Sequence, residues 1–227
     1  MKYLNEILIE WNDSGIEDNR IIKASDVKHK FDVKFVYFVD SRNEDIRIFH
    51  QDWPLYNEYK NKVYLNGERI ELDDMGNTIS NFKPGLYEIY IENLEKIDNC
   101  NSMFSVTDLY ECPLWNTSKI SDFSCMFSEC RCKNLPVFNL SSAKDISYMC
   151  SDSPWVTIPM LDVTNVINMS DMFSGCWSLQ TVPMFKGINP SKQNFDFMFW
   201  DCESLTEETI KLWHIDLDGT PCLQYYE

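Results

Sequence analysis

From about Ile97 to Leu205, apolar residues return on a fixed schedule. Met-Phe or a near copy stands at Met103-Phe104, Met126-Phe127, Met149-Cys150, Met172-Phe173 and Met198-Phe199, at intervals of 23, 23, 23 and 26 residues. Within the second copy Ile120, Phe123, Met126, Phe127 and Cys130 follow three- and four-residue steps, the spacing of one face of a short helix. Ten residues after each of the first three Met comes a proline among apolar neighbours: Cys112-Pro113-Leu114-Trp115, Leu135-Pro136-Val137-Phe138 and Ile158-Pro159-Met160-Leu161. The fourth, Val182-Pro183-Met184-Phe185, comes one residue late. These runs have strand length, and proline is tolerated at the start of a strand. Polar corners follow at Asn116-Thr117-Ser118, Asn139-Leu140-Ser141 and Asp162-Val163-Thr164, where short side chains close turns on their own backbone. Each unit therefore predicts strand, corner, helix, corner.

Residues 1–93 show no repeat. Leu4–Trp11, Val33–Val39, Asp45–His50 and Leu86–Ile91 read as strands, and Pro84-Gly85 as a turn. Asn66-Gly67 between two short alternating runs predicts a hairpin with a type I′ turn, because both residues accept positive φ. A β-rich N-terminal domain of about six strands is expected over 1–93, anchoring or capping the repeats of 94–205. Ser204-Leu205-Thr206-Glu207 fits a capping box before a helix over Glu208–His214, with Ile210 and Trp213 on one face. That helix and the tail make a C-terminal cap over 206–227.

Self-similarity at such a period points to stacked units that bury their apolar faces on one another. The predicted fold class is an α/β solenoid of about five leucine-rich-like repeats with an N-terminal all-β domain. The run Leu161-Asp162-Val163-Thr164-Asn165-Val166-Ile167-Asn168-Met169-Ser170-Asp171-Met172-Phe173-Ser174-Gly175-Cys176-Trp177-Ser178-Leu179 resembles the consensus of BspA-type leucine-rich repeats, also known as a domain of unknown function first noted in mycoplasmas. The first copy lacks the Cys, the third has Cys150 for Phe and Ser153 for Cys, and the last carries an insertion at Gly187–Pro190. The resemblance implies a surface or interaction protein, often an adhesin, without catalytic residues.

Charge narrows the partners. Lys plus Arg total 20 against 36 Asp plus Glu, a formal charge of −16. A field of that sign repels phosphate backbones and anionic lipid, which disfavours nucleic acid and membrane surfaces. No run approaches the length of a membrane span. The first ten residues carry two acids where a signal peptide needs an unbroken apolar stretch. The expected location is cytoplasmic or virion-associated, or the cell surface if a leader has been removed.

The nine cysteines offer no zinc-knuckle spacing. Cys130, Cys176 and Cys202 share one slot and are expected to be reduced core thiols; Cys130 with Cys132, or Cys112 with Cys132, remain open as pairs. No metal or cofactor is expected, and no nucleophile motif or phosphate loop is present. Recognition is expected on two rows: Glu111, Asn134, Thr157 and Thr181 before the prolines, and Asn116, Asn139, Asp162 and Lys186 at the corners. Trp53, Trp155, Trp177 and Trp200 are expected to be exposed aromatics outside the repeat slots, and the last two, beside the Cys slot, join the candidate partner-binding residues. The expected function is a non-catalytic protein-interaction or adhesion module, binding another protein or a cell-surface macromolecule. The alternatives are a structural subunit of a phage particle or surface assembly, and a hydrolase with a cleft containing His50.

Overall fold

A computed structural model describes residues 33–40, 45–65, 68–77 and 82–223. The strand expected at Leu4–Trp11 and the turn type at Asn66-Gly67 lie outside the described residues.

Among the described residues the strands form one antiparallel sheet in the order β3-β2-β4-β1-β5. It comprises β1 (Lys34–Val39), β2 (Val63–Leu65), β3 (Glu68–Ile70), β4 (Gly85–Ile91) and β5 (Leu109–Glu111). β1, rich in aromatic and β-branched residues, sits between β4 and β5, pairing Tyr37 with Tyr87 on one side and Leu109 on the other. β2 and β3 pair in the register Leu65↔Glu68, which leaves a two-residue connection. Helix α1 (Tyr56–Tyr59), a 3₁₀ turn (Leu94–Lys96) and helix α2 (Glu207–Trp213) complete the described elements.

The expected α/β solenoid of leucine-rich-like repeats is not formed. None of the stretches that step by three and four is a helix in the structure; each is a run of tight turns. Two residues per unit are left-handed, one before the Met (Ser102, Cys125, Tyr148, Asp171, Phe197) and one three after it (Val106, Glu129, Asp152, Gly175, Asp201), with φ from 54° to 72°. A helix cannot continue through such residues. The N–H groups alternate instead. Met126 and Ser128 donate within their own turn to Phe123 and Cys125, while Cys125, Phe127 and Glu129 donate to Ser147, Met149 and Ser151 one unit later. A corner of tight turns brings the same positions inward as a helical stripe does, which is why the spacing read as helix. None of the strands expected around the prolines forms: in the first unit β5 ends at Glu111, ahead of Cys112-Pro113, and later units make single parallel bridges such as Thr157↔Thr181. Proline removes a donor from each of these segments.

Packing follows the 23-residue register. Asn99, Asp122, Asp145, Asn168 and Asn194 bridge in parallel succession. Phe104 stacks on Phe127 at 5.9 Å and Phe173 on Phe199 at 5.6 Å, with Cys150 buried in the rung between the two pairs. The first rung is covered by the segment expected as a strand over Asp45–His50. That segment makes one bridge, Arg47↔Asn77, and otherwise buries Ile46, Ile48 and Phe49 while the His50 N–H reaches the Met103 carbonyl. The last rung is covered by α2 and the loop after it. Thr206, not Ser204, caps α2 by accepting from the Thr209 N–H, and Trp213 is buried whereas Ile210 is exposed. Trp213 lies 5.2 Å from Phe185 and 5.5 Å from Phe199.

Candidate functional site

The corner row assembles. Asn116, Asn139 and Asp162 each accept, through Oδ1, the N–H two residues on, from Ser118, Ser141 and Thr164. This local bond closes the corner and leaves the outer side chains in register. Lys186 lies opposite Asp162 in a parallel bridge and donates to its carboxylate at 2.5 Å. The Lys186 ammonium, followed by the Thr164 hydroxyl and N–H, holds the Asp162 carboxyl down to about 2. Asn139, Ser141, Asp162, Thr164 and Lys186 edge an open groove of about 350 Å³ that also touches Phe138 and Leu140. Asn116, one unit earlier, is not part of it.

The row before the prolines is less uniform. Glu111 is held in β5 opposite Val36, whereas Asn134, Thr157 and Thr181 are exposed and only the last two bridge. Of the four tryptophans expected to be exposed, Trp53 and Trp155 are instead core residues: their Nε1 groups donate to the Asn99 and Cys132 carbonyls, which draws the indoles inward. Trp177 and Trp200 are exposed and belong to adjoining rungs. The Gly175 N–H donates to the Trp200 carbonyl, and the Trp177 N–H to that of Gly175.

A third row escaped the sequence reading. The residue after each proline, Leu114, Val137 and Met160, is 63%, 55% and 54% exposed, and Met184 stands half-buried at the fourth position. The signal was present, an apolar residue after every repeat proline, but it was absorbed into the expected strand. Alternation places one neighbour of a buried residue outside, so the pattern could have been read as Leu135-in, Val137-out, Phe138-in around a proline bend.

Cysteine and histidine sites resolve simply. All nine thiols are free, so neither pairing left open from the sequence forms. Among the described residues no group of three or more His, Cys, Asp or Glu could hold a metal ion. His50 Nδ1 accepts the Asp52 N–H and stands 3.7 Å from its carboxylate. His50 lines neither the corner groove nor a smaller hollow edged by Asp40, Asp108 and Arg131.

Residues 71–180 and 138–218 match the family described as "Mycoplasma protein of unknown function, DUF285", together more than half of the chain. The chain belongs to the DUF285 family. All ten candidate partner-binding residues fall within the DUF285 match, which carries no leucine-rich label with it. No curated protein and no solved structure matches the chain. Among the described residues of this DUF285 protein, no helix is long and apolar enough to cross a membrane.

Proposed function

We propose that this DUF285 protein is a non-catalytic module that binds another protein along the stacked units. The observation that supports this is the column Leu114, Val137 and Met160, large apolar side chains exposed at the same position of three successive rungs. Exposed apolar residues in a contiguous line mark interaction surfaces, whereas scattered ones do not. Asn134 and Thr157, exposed before Pro136 and Pro159, supply hydrogen-bonding groups beside the column. The likeness of Leu161–Leu179 to BspA-type sequences supports a partner at a cell surface.

The test replaces Leu114, Val137 and Met160 together with Ser and repeats cross-linked capture from the protein's own cells, read by mass spectrometry. A partner captured by the native chain should be lost while the melting temperature stays nearly unchanged, since exposed substitutions usually shift stability by less than about 0.5 kcal/mol. An unchanged set of captured proteins removes the column from consideration.

A further inference from the structure

The turn side of the stack carries a different surface. The five segments 99–106, 122–130, 145–153, 168–177 and 194–203 contain neither Lys nor Arg, yet hold eight Asp and Glu. Asp122 and Asp145 are engaged in the ladder, where each accepts from the serine two residues on. Glu129, Asp152, Asp171, Asp196 and Asp201 make no ion pair among the described residues. Two cations that flank these segments in sequence engage other groups: Lys144 donates to the Asn165 carbonyl, and Arg131 edges the hollow beside Asp108.

Exposed aromatics interrupt these carboxylates on the last three rungs. Tyr148, Asp171 and Phe197 occupy one left-handed position in successive units, so they stand side by side along the stack. Asp152, Gly175 and Asp201 occupy the second such position. The Asp152 carboxylate lies over Gly175, where an added Cβ would meet Oδ1 at 2.1 Å, so the missing side chain makes room for it. Phe197 and Trp200 meet edge to face at 6.1 Å, and Trp177 follows Gly175 by two residues. Exposure of the four rings runs from 44% for Tyr148 and Trp200 to 63% for Trp177.

We propose that this face docks a Lys- and Arg-rich segment of a partner protein. Ring faces attract ammonium and guanidinium groups, and carboxylates a few ångströms away pair with the same cations. The left-handed backbone holds both at fixed spacing along the stack, so an extended basic strand meets aromatic and acid in turn. A polyanion is repelled by the same face, and an apolar partner would leave its five carboxylates without counter-charge. This surface is distinct from the Leu114–Met160 column, and each stands or falls separately.

The test is fluorescence anisotropy of a labelled peptide of alternating Arg and Gly against its Glu counterpart, at physiological salt. The full chain should bind the Arg peptide and not the Glu peptide, with affinity falling as salt rises. Asp152→Asn, Asp171→Asn and Asp201→Asn together should weaken binding about tenfold, and so should Trp177→Ala with Trp200→Ala. Glu68→Gln, Glu71→Gln and Glu95→Gln change net charge equally away from the face and should alter affinity by less than about twofold. Circular-dichroism melts confirm that each variant folds. The proposal is overturned if the distant triple matches the facial triple, if the Trp pair leaves affinity unchanged, or if the Arg peptide does not bind. Serine at Leu114, Val137 and Met160 should leave peptide affinity intact, which separates a failure here from a failure of the apolar column.

Discussion

One slot in the repeat shows how a residue is chosen. Four positions after each Met stand Thr107, Cys130, Ser153, Cys176 and Cys202, alike only in being small with a hydrogen to donate. Ser153, Cys176 and Cys202 donate to the Phe127, Cys150 and Phe173 carbonyls, the same backbone position of the preceding rung. Thr107, with no preceding rung, turns to the Phe104 carbonyl of its own. The cysteines are therefore structural donors, consistent with the reduced thiols expected from their spacing. Burial pushes the Cys176 and Cys202 thiols up to about 12 from an ordinary 9.0, and Cys132 up to about 11. A folded-state value raised above the unfolded one gives stability that is complete below the unfolded value and lost as pH climbs towards the folded one. The melting temperature should thus decline as pH rises from about 9 towards 12. Cys176→Ser with Cys202→Ser, the residue the third unit already uses, should flatten that decline in thermal melts; an unaltered slope would show that other groups cause it.

At the scale of elements, the hairpin β2–β3, the strands β1 and β4 and the C-terminal helix were legible because their signals are local. Hairpin register depends on loop length, and β1 and β4 depend on β-branched and aromatic residues in a run. The turn ladder was not legible as such. Steps of three and four suit a helix or a succession of tight turns equally, and the choice depends on where the N–H groups find acceptors. Here half find them on the next rung, which is chain 23 residues away. The helix cap is a smaller case of the same ambiguity. Thr206 caps α2 and is itself anchored, its N–H bonding the Gln180 carbonyl, while Ser204 points into solvent. Thr206→Ala should cost about 1 kcal/mol in urea unfolding. Ser204→Ala should cost less than about 0.5 kcal/mol.

Across the whole molecule, sheet and ladder share one buried core. Phe104 on the first rung lies 5.3 Å from Phe35 of β1, 6.2 Å from Phe49 and 5.9 Å from Phe127 on the second rung. β5, at one end of the described sheet, belongs by sequence to the first repeat. Sheet and ladder should therefore unfold in one transition. Phe104→Ala should remove about 3–5 kcal/mol while leaving the circular-dichroism and tryptophan-fluorescence curves coincident. Two separated transitions would show that the rungs and the sheet are independent.

The amino-acid order alone determined the 23-residue register, the identity of the inward Met and Phe, the corner residues and the acidic balance. Each is a property of spacing or composition that survives whatever conformation the chain adopts. Tertiary contact decided that the repeating stretch is turns instead of helix, that the proline segments do not become strands, and that Trp53 and Trp155 go inward while Trp177 and Trp200 stay out. Those choices rest on hydrogen-bond acceptors and cavities supplied by neighbouring rungs, which exist only once the rungs are stacked.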